Sequence, residues 1–371
     1  MLSTMKPFLQ QVWQSSSFLS PTTIQEKAIP FILEGSDGVF ESPTGTGKTV
    51  SYLLPLLQRI DPSQKSTQVL VLAPTRELVM QIHQEVQKWT KDSGIISAAF
   101  IGDINIKKQV EKLRLHPQFI VATPGRVLEL IKLKKLKMHE VKAIVVDEID
   151  LLIEQKLISN VKEIVKTTQK DRQLLFFSAT ISENTVQFAK EIMKEHEIIR
   201  VQRMEQDSNV EHLYFVADHR EKIDLLRRLL HTGTFKALAF INDHDRIAQV
   251  EAKLNYKGVQ LRALHGESTK IERQQALKDF RAGKFPLLVA TDVAARGLDI
   301  EGLTHVIHFD FPQDAKQYIH RSGRTGRMGS KGTVISIVTP REESMLKRLG
   351  VQLGIDLKKK ALFKGDIINE R

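Results

Sequence analysis

The stretch Ser42 to Thr49, S-P-T-G-T-G-K-T, constrains this chain more than any other. It follows a short apolar run, Val39 and Phe40, and leads into a helical pattern of Leu53, Leu54, Leu57 and Ile60. A strand, a glycine-rich turn and a helix start, in that order, make a cradle for phosphate. The turn aims successive backbone N–H groups inward and the helix dipole adds partial positive charge. Gly45 and Gly47 let the backbone come close to the anion. In such a cradle Lys48 reaches the β- and γ-phosphates and the Thr49 hydroxyl holds Mg²⁺. The general pattern has Gly where Ser42 stands. The competing explanation is a solvated Gly/Thr turn that binds nothing, and Gly-Lys-Thr between strand and helix favours nucleotide over it.

Composition bounds what surrounds the cradle. A chain of 371 residues exceeds one ordinary core, which sets an expectation of two domains. A formal net charge of +11 suggests a polyanionic partner. The absence of cysteine excludes a disulfide framework, a thiolate metal site and a cysteine nucleophile. Met1 to Gln10 lacks a basic start followed by a long apolar run, and no apolar run is long enough to span a bilayer. The expectation is a cytoplasmic protein without a membrane partner.

Ahead of the cradle lies Ser20-Pro-Thr-Thr-Ile-Gln25, then Glu26 to Leu33 at helical spacing. Ser20 or Thr22 can cap that helix. Gln25 carries an amide that both donates and accepts, suited to the adenine edge. Phe8, upstream, can stack on the base. Val69 to Ala73 and Phe119 to Ala122 read as buried parallel strands. The first runs into Pro74-Thr75-Arg76-Glu77-Leu78, the second into Thr123-Pro124-Gly125-Arg126. Each places Thr and Arg where strand meets helix, at the carboxyl edge where open α/β sheets bind ligands. Helix capping would explain either threonine alone; the recurrence favours phosphate contacts from Thr75, Arg76, Thr123 and Arg126.

Ala143-Ile-Val-Val then ends in Asp147-Glu148-Ile149-Asp150. Asp147 suits Mg²⁺, held through water, and Glu148 suits positioning or deprotonating an attacking water. Leu174 to Phe177 delivers Ser178-Ala179-Thr180, whose hydroxyls can bond Asp150 and join catalysis to movement.

By this point the chain resembles a DEAD-box RNA helicase core of helicase superfamily two. Pro21 to Gln25, SPTGTGKT, PTREL, TPGR, DEID and SAT stand in that family's order. The second half adds Thr291-Asp292-Val-Ala-Ala-Arg296-Gly297-Leu-Asp299 and His320-Arg321-Ser-Gly-Arg324-Thr-Gly-Arg327. The resemblance implies two RecA-like α/β domains, residues 1–204 and 210–371, joined by a hinge at 205–209. It implies ATP and Mg²⁺ as cofactors and RNA as partner. Phe8, Gln25, Thr44, Gly45, Thr46, Gly47, Lys48, Thr49, Gly297 and Asp299 would then hold the nucleotide. Lys48, Asp147, Glu148, Arg324 and Arg327 would act in hydrolysis, the two arginines as fingers on the γ-phosphate. RNA would lie along Pro74, Thr75, Arg76, Gly102, Thr123, Gly125, Arg126, Arg273 and Thr291. Asp150, Ser178, Thr180 and His320 would couple the lobes. A monomer acting with ribonucleoprotein or ribosome-assembly partners is expected.

Four positions depart from the family's pattern. Ile149 replaces Ala, Asp103 follows Gly102 where a second Gly is usual, Lys270 replaces Gln, and Ser17 replaces Gly. None removes a group that hydrolysis needs. Pro55 should kink the helix that follows Lys48. After Thr333 to Val338 a helix over Glu342 to Leu349 leads to a short basic tail. The lysines from Lys132 to Lys137 and from Lys358 to Lys360 read as solvated faces. Two other functions fit the same motifs: a DNA helicase of the same superfamily, and an ATP-gated RNA clamp with little unwinding.

Overall fold

The structure is a computed structural model. It describes residues 4–16, 20–43, 45–102, 104–201, 210–265, 268–295, 300, 302–326 and 330–370. By its contacts the chain divides into Met1–Arg203 and Met204–Arg371. The expected hinge, 205–209, lies outside the described residues.

The first unit is a seven-stranded sheet. Its strands are β1 Asp37–Glu41, β2 Val69–Leu72, β3 Ser97–Phe100, β4 Phe119–Ala122, β5 Ala143–Asp147, β6 Gln173–Ser178 and β7 His196–Arg200. They lie in the order β3-β4-β2-β5-β6-β1-β7, and every pairing is parallel. Such a sheet is buried on both faces, and the central strands are continuous apolar runs for that reason. Along β5, Ala143 and Val145 join one core while Ile144 and Val146 join the other. The register sets Glu41 beside Ser178 and Asp147 beside Phe177. The chemically loaded ends of β1, β5 and β6 therefore finish level, at one edge.

The helix after the phosphate loop, Lys48–Arg59, carries Pro55 within it. Proline costs a helix interior about 3 kcal/mol. Leu53, Leu54, Leu56 and Leu57 are all buried around it, at about 1.5–3 kcal/mol each. Packing decides the outcome.

The second unit has eight strands: β8 Val210–Val216, β9 Ala237–Phe240, β10 Leu261–Leu264, β11 Leu287–Ala290, β12 His305–His308, β13 Gly332–Val338, β14 Leu357–Phe363 and β15 Asp366–Asn369. Their order is β10-β11-β9-β12-β13-β8-β14-β15. The expected α/β class holds in both units. The tail is different from expectation. Lys358 to Lys360 lie inside β14, which adds to β8 in parallel and turns back antiparallel as β15. Leu362 and Ile367 pack against the core from the hairpin. Lys364 and Gly365, both at positive φ, make its turn.

Candidate active site

The phosphate loop is closed by its neighbours. Gly45 and Gly47 sit at φ 79° and 89°, a region that a Cβ disfavours. At Gly47 a Cβ would also stand 2.5 Å from Gln25 Nε2, so glycine is required there twice over. Thr22 Oγ1 donates to the Thr46 carbonyl at 2.7 Å, and Gln25 Nε2 donates to the Gly47 carbonyl at 3.4 Å. Gln25 Oε1 accepts from the Thr22 N–H at 3.0 Å. Gln25 is fully buried, with both ends of its amide engaged. Gln25 links the Thr22 turn to the phosphate loop, and each end of its amide keeps one further hydrogen-bonding capacity. Phe8 is half-buried and packs against the same core. Ser42, where the general pattern has Gly, is buried and exchanges a hydrogen bond with Thr46 Oγ1 at 2.7 Å. Lys48 Nζ donates to the Ser42 carbonyl at 2.6 Å.

Asp147 ends β5 with only 3% of its surface exposed. Its Oδ1 accepts the Glu148 N–H at 2.9 Å, and its Oδ2 accepts the Tyr52 hydroxyl at 2.9 Å. Burial, then the Glu148 charge, pushes its carboxyl up to about 6, against the pull of Lys48. A buried carboxylate so poorly compensated, with the Thr49 hydroxyl on the adjacent first helical turn, is a hard-oxygen donor set that fits Mg²⁺. Glu148 sits at φ 49°, ψ 50°, a left-handed conformation that costs a residue with a Cβ about 1–2 kcal/mol. The strain starts the helix Ile149–Glu154 directly after the strand and leaves Glu148 half-exposed while Ile149 and Asp150 are buried. Strain of this kind clusters at functional sites.

The third loop is tied to the first two. The Ser42 N–H donates to the Ser178 carbonyl at 3.1 Å. Thr180 Oγ1 reaches Asp150 Oδ2 at 3.4 Å, the contact anticipated from sequence. Ser178 Oγ turns instead onto the Thr180 carbonyl at 2.5 Å. Glu41 accepts from the Ile181 N–H at 3.1 Å and pairs with Arg200 at 3.0 Å. Glu41 and Tyr52 were not singled out from sequence. The signal for Tyr52 was its place one helical turn after Lys48, the spacing that puts two side chains on one helix face.

Among the polynucleotide candidates of the first unit, exposure divides the residues. Arg76 is exposed and lies 4.0 Å from where a Gly102 Cβ would be. Pro74 is buried and Gly125 exposed. Thr75 Oγ1 caps its helix, accepting from the Leu78 N–H at 3.2 Å, whereas Thr123 makes no such side-chain bond. The capping alternative is thus realised at Thr75 and not at Thr123. Arg126 is only 9% exposed, and Nη1 donates to the Ile104 carbonyl at 3.0 Å while Nε lies 3.1 Å from Glu129.

In the second unit Arg321 is 1% exposed. It grips Asp292 through Nε at 2.8 Å and Nη2 at 2.5 Å, and donates to the Asp310 carbonyl and Asn242 Oδ1. Arg321 lies in the helix Ala315–Ser322, with half-exposed His320 before it and half-exposed Arg324 two residues past the helix end. Arg273 is half-buried and reaches the His265 carbonyl at 3.4 Å. Thr291 Oγ1 accepts from the Ala294 N–H at 3.2 Å. Thr44, Asp103, Gly297, Asp299 and Arg327 lie outside the described residues.

Residues 22–188 match the family model for DEAD/DEAH box helicases, and 221–329 that for the helicase conserved C-terminal domain. A DEAD-box ATP-dependent RNA helicase, CshC of Bacillus cereus, is 52% identical over 100% of this chain and 95% of its own length. The probable ATP-dependent RNA helicase YfmL of Bacillus subtilis is 50% identical over 96% of this chain and 95% of its own. Dbp5 of S. cerevisiae, solved bound to RNA and ADP BeF3, superposes with a TM-score of 0.86 at 31% identity. That match covers 96% of this chain and 94% of the other.

Proposed function

The chain belongs to the DEAD-box family of ATP-dependent RNA helicases, and from that membership we propose how its own residues handle nucleotide and RNA. It is an ATP-hydrolysing RNA helicase. Both bacterial relatives carry the name RNA helicase, so neither a DNA helicase nor a clamp without unwinding is favoured.

The observation that carries the reading is the Asp147–Glu148 pair at the end of β5, one residue buried and one turned outward, beside the phosphate loop. Backbone N–H groups of Gly45 to Thr49 would receive the phosphates and Lys48 would exchange its Ser42 carbonyl for them. Asp147 and Thr49 would hold Mg²⁺, partly through water. Bound there, the cation would offset charge as the γ-phosphoryl group transfers. Glu148 would take the proton of the water that attacks the γ-phosphorus while the β–γ bridging oxygen leaves with the electron pair. Gln25 would read the adenine edge with the N–H and lone pair that its bonds to Gly47 and Thr22 leave over, and Phe8 would stack on the base. From the second unit Arg324 and Arg327 would stabilise the transferring phosphoryl, with Gly297 and Asp299 at the ribose.

RNA would run along Arg76, Gly102, Thr123 and Gly125, with Arg126 shaping that track through Ile104. Arg273 and Thr291 would add to it when the two units close on a strand. Contacts to the sugar-phosphate backbone give little sequence preference. Closure on a bent single strand would exclude a regular duplex and open it locally, and Asp150, Thr180 and His320 would transmit the nucleotide's state. The protein is proposed to act as a cytoplasmic monomer within ribonucleoprotein assembly; among the described residues no helix is long and apolar enough to cross a membrane. Glu148→Gln tests the reading. Retained ATP binding with RNA-stimulated turnover lowered about 10²–10⁴-fold is expected, and unchanged turnover would remove Glu148 from its role.

A further inference from the structure

Tyr52 is a residue that neither the motifs nor the mechanism above uses. It is fully buried, its ring 5.0 Å from Phe177, which in turn stacks on Phe40 at 4.6 Å. With the ring walled in, the hydroxyl has one place to be. It donates to Asp147 Oδ2 at 2.9 Å. A phenol has a single hydrogen to give, and here it goes to the carboxylate. The bond fixes the carboxylate at one oxygen while the Glu148 N–H fixes it at the other. The two remaining lone-pair directions of the carboxylate are what Asp147 can offer outward.

We propose that Tyr52 is a positioning residue for the nucleotide-linked divalent cation, orienting the Asp147 carboxylate through its buried hydroxyl. The inference rests on the reading of Asp147 and Thr49 as the groups that hold Mg²⁺. It follows the general behaviour of outer-sphere partners, whose loss weakens metal binding about 10–100-fold. A phenylalanine at this position keeps the ring packing against Phe177 and removes only the hydroxyl. Asp147 Oδ2 then loses its donor.

The test is a titration of Mg²⁺ against binding of a fluorescent ADP analogue to the full chain, for the parent, Tyr52→Phe and Asp147→Asn. In Tyr52→Phe the Mg²⁺ midpoint should rise about tenfold, with affinity for the analogue in EDTA unchanged. An unmoved midpoint overturns the proposal. Equal losses with Mg²⁺ and in EDTA also overturn it, since packing alone would then explain Tyr52. Asp147→Asn separates the two readings. If it leaves the Mg²⁺ dependence intact, the cation assignment itself fails; if it abolishes the dependence while Tyr52→Phe does nothing, only the positioning role of the tyrosine fails.

Discussion

The two units share an architecture and use their buried charges in opposite ways. In the first, Asp147 is buried with neutral donors on both oxygens and a carboxyl pushed up to about 6. Its neighbour Glu148 is held in a strained conformation that turns it outward. In the second, the buried charges close on one another: Arg321 on Asp292, Arg246 on Asp310 at 2.6 Å, and Lys222 on Glu342 at 3.3 Å. Lys222 is 0% exposed and also donates to the Phe309 and Ile337 carbonyls. A charge left uncompensated in the interior costs free energy that a ligand or a proton must offset; a charge already paired holds the fold. The lesson is that an arginine inside a family motif can be structural, and burial distinguishes it from its neighbours.

Arg321→Ala is the severest way to break this contrast. It leaves Asp292 without its bidentate partner, and removal of one member of a buried pair costs about 3–5 kcal/mol. Hydrogen exchange should show the loss in peptides of β9, β11 and β12, with β1, β5 and β6 unchanged. If turnover falls while exchange in the second unit stays as in the parent, Arg321 belongs to the chemistry and the contrast disappears.

Ile149→Ala sharpens the other side. Ile149 is fully buried in the first unit's second core, although it sits between Glu148 and Asp150. Truncating it to the family's usual residue should destabilise that unit by about 2–4 kcal/mol through the cavity it leaves. Thermal unfolding checks this, and exchange in the second unit should not change. An unchanged first transition would mean the neighbours already collapse into the space, and that Ile149 is not a packing residue here.

Most of the strand ends were legible because a parallel sheet buries both faces and writes its strands as unbroken apolar runs; Phe119 to Ala122 has the same bounds in sequence and structure. The loop chemistry at β1, β5 and β6 was legible for the same reason, since each motif directly follows such a run. Direction was not legible. Nothing in T-P-G-R says that the Arg126 guanidinium folds inward to Ile104, because long side chains choose among partners that only tertiary structure supplies. The Gln25 amide is legible as donor and acceptor, but its bonds to Thr22 and Gly47, one at each end, are not. The terminal hairpin was hidden by its lysines, which suggest solvent, whereas its packing depends on Leu362 and Ile367, one on each strand.

The smallest predicted effect turns on pH, and the two units should respond differently. In the second unit burial holds His305 down to about 4 and His308 well below the usual range. His305 stacks on Phe235 at 4.0 Å, and both histidines stay neutral in the fold while an unfolded chain would protonate them near 6.5. The unfolded state then binds more protons, so their contribution is complete above about pH 6.5 and is lost as pH falls through the folded values. Between pH 7 and 5 His305 alone should remove about 1–2 kcal/mol from the second unit. In the first unit Asp147, raised to about 6 by burial, works the other way: its contribution is present below about 3.8 and lost as pH rises through 6. Asp37, also raised by burial, adds to it, and His83, lowered by burial, opposes it. Carboxylates held low by their ion pairs stay ionised in both states above pH 5 and drop out. Exchange measured without nucleotide or Mg²⁺ should therefore show protection falling in the second unit and nearly level in the first. His305→Phe, which can keep the contact with Phe235, should flatten part of that fall; parallel losses in both units would show that buried charge is arranged alike in the two.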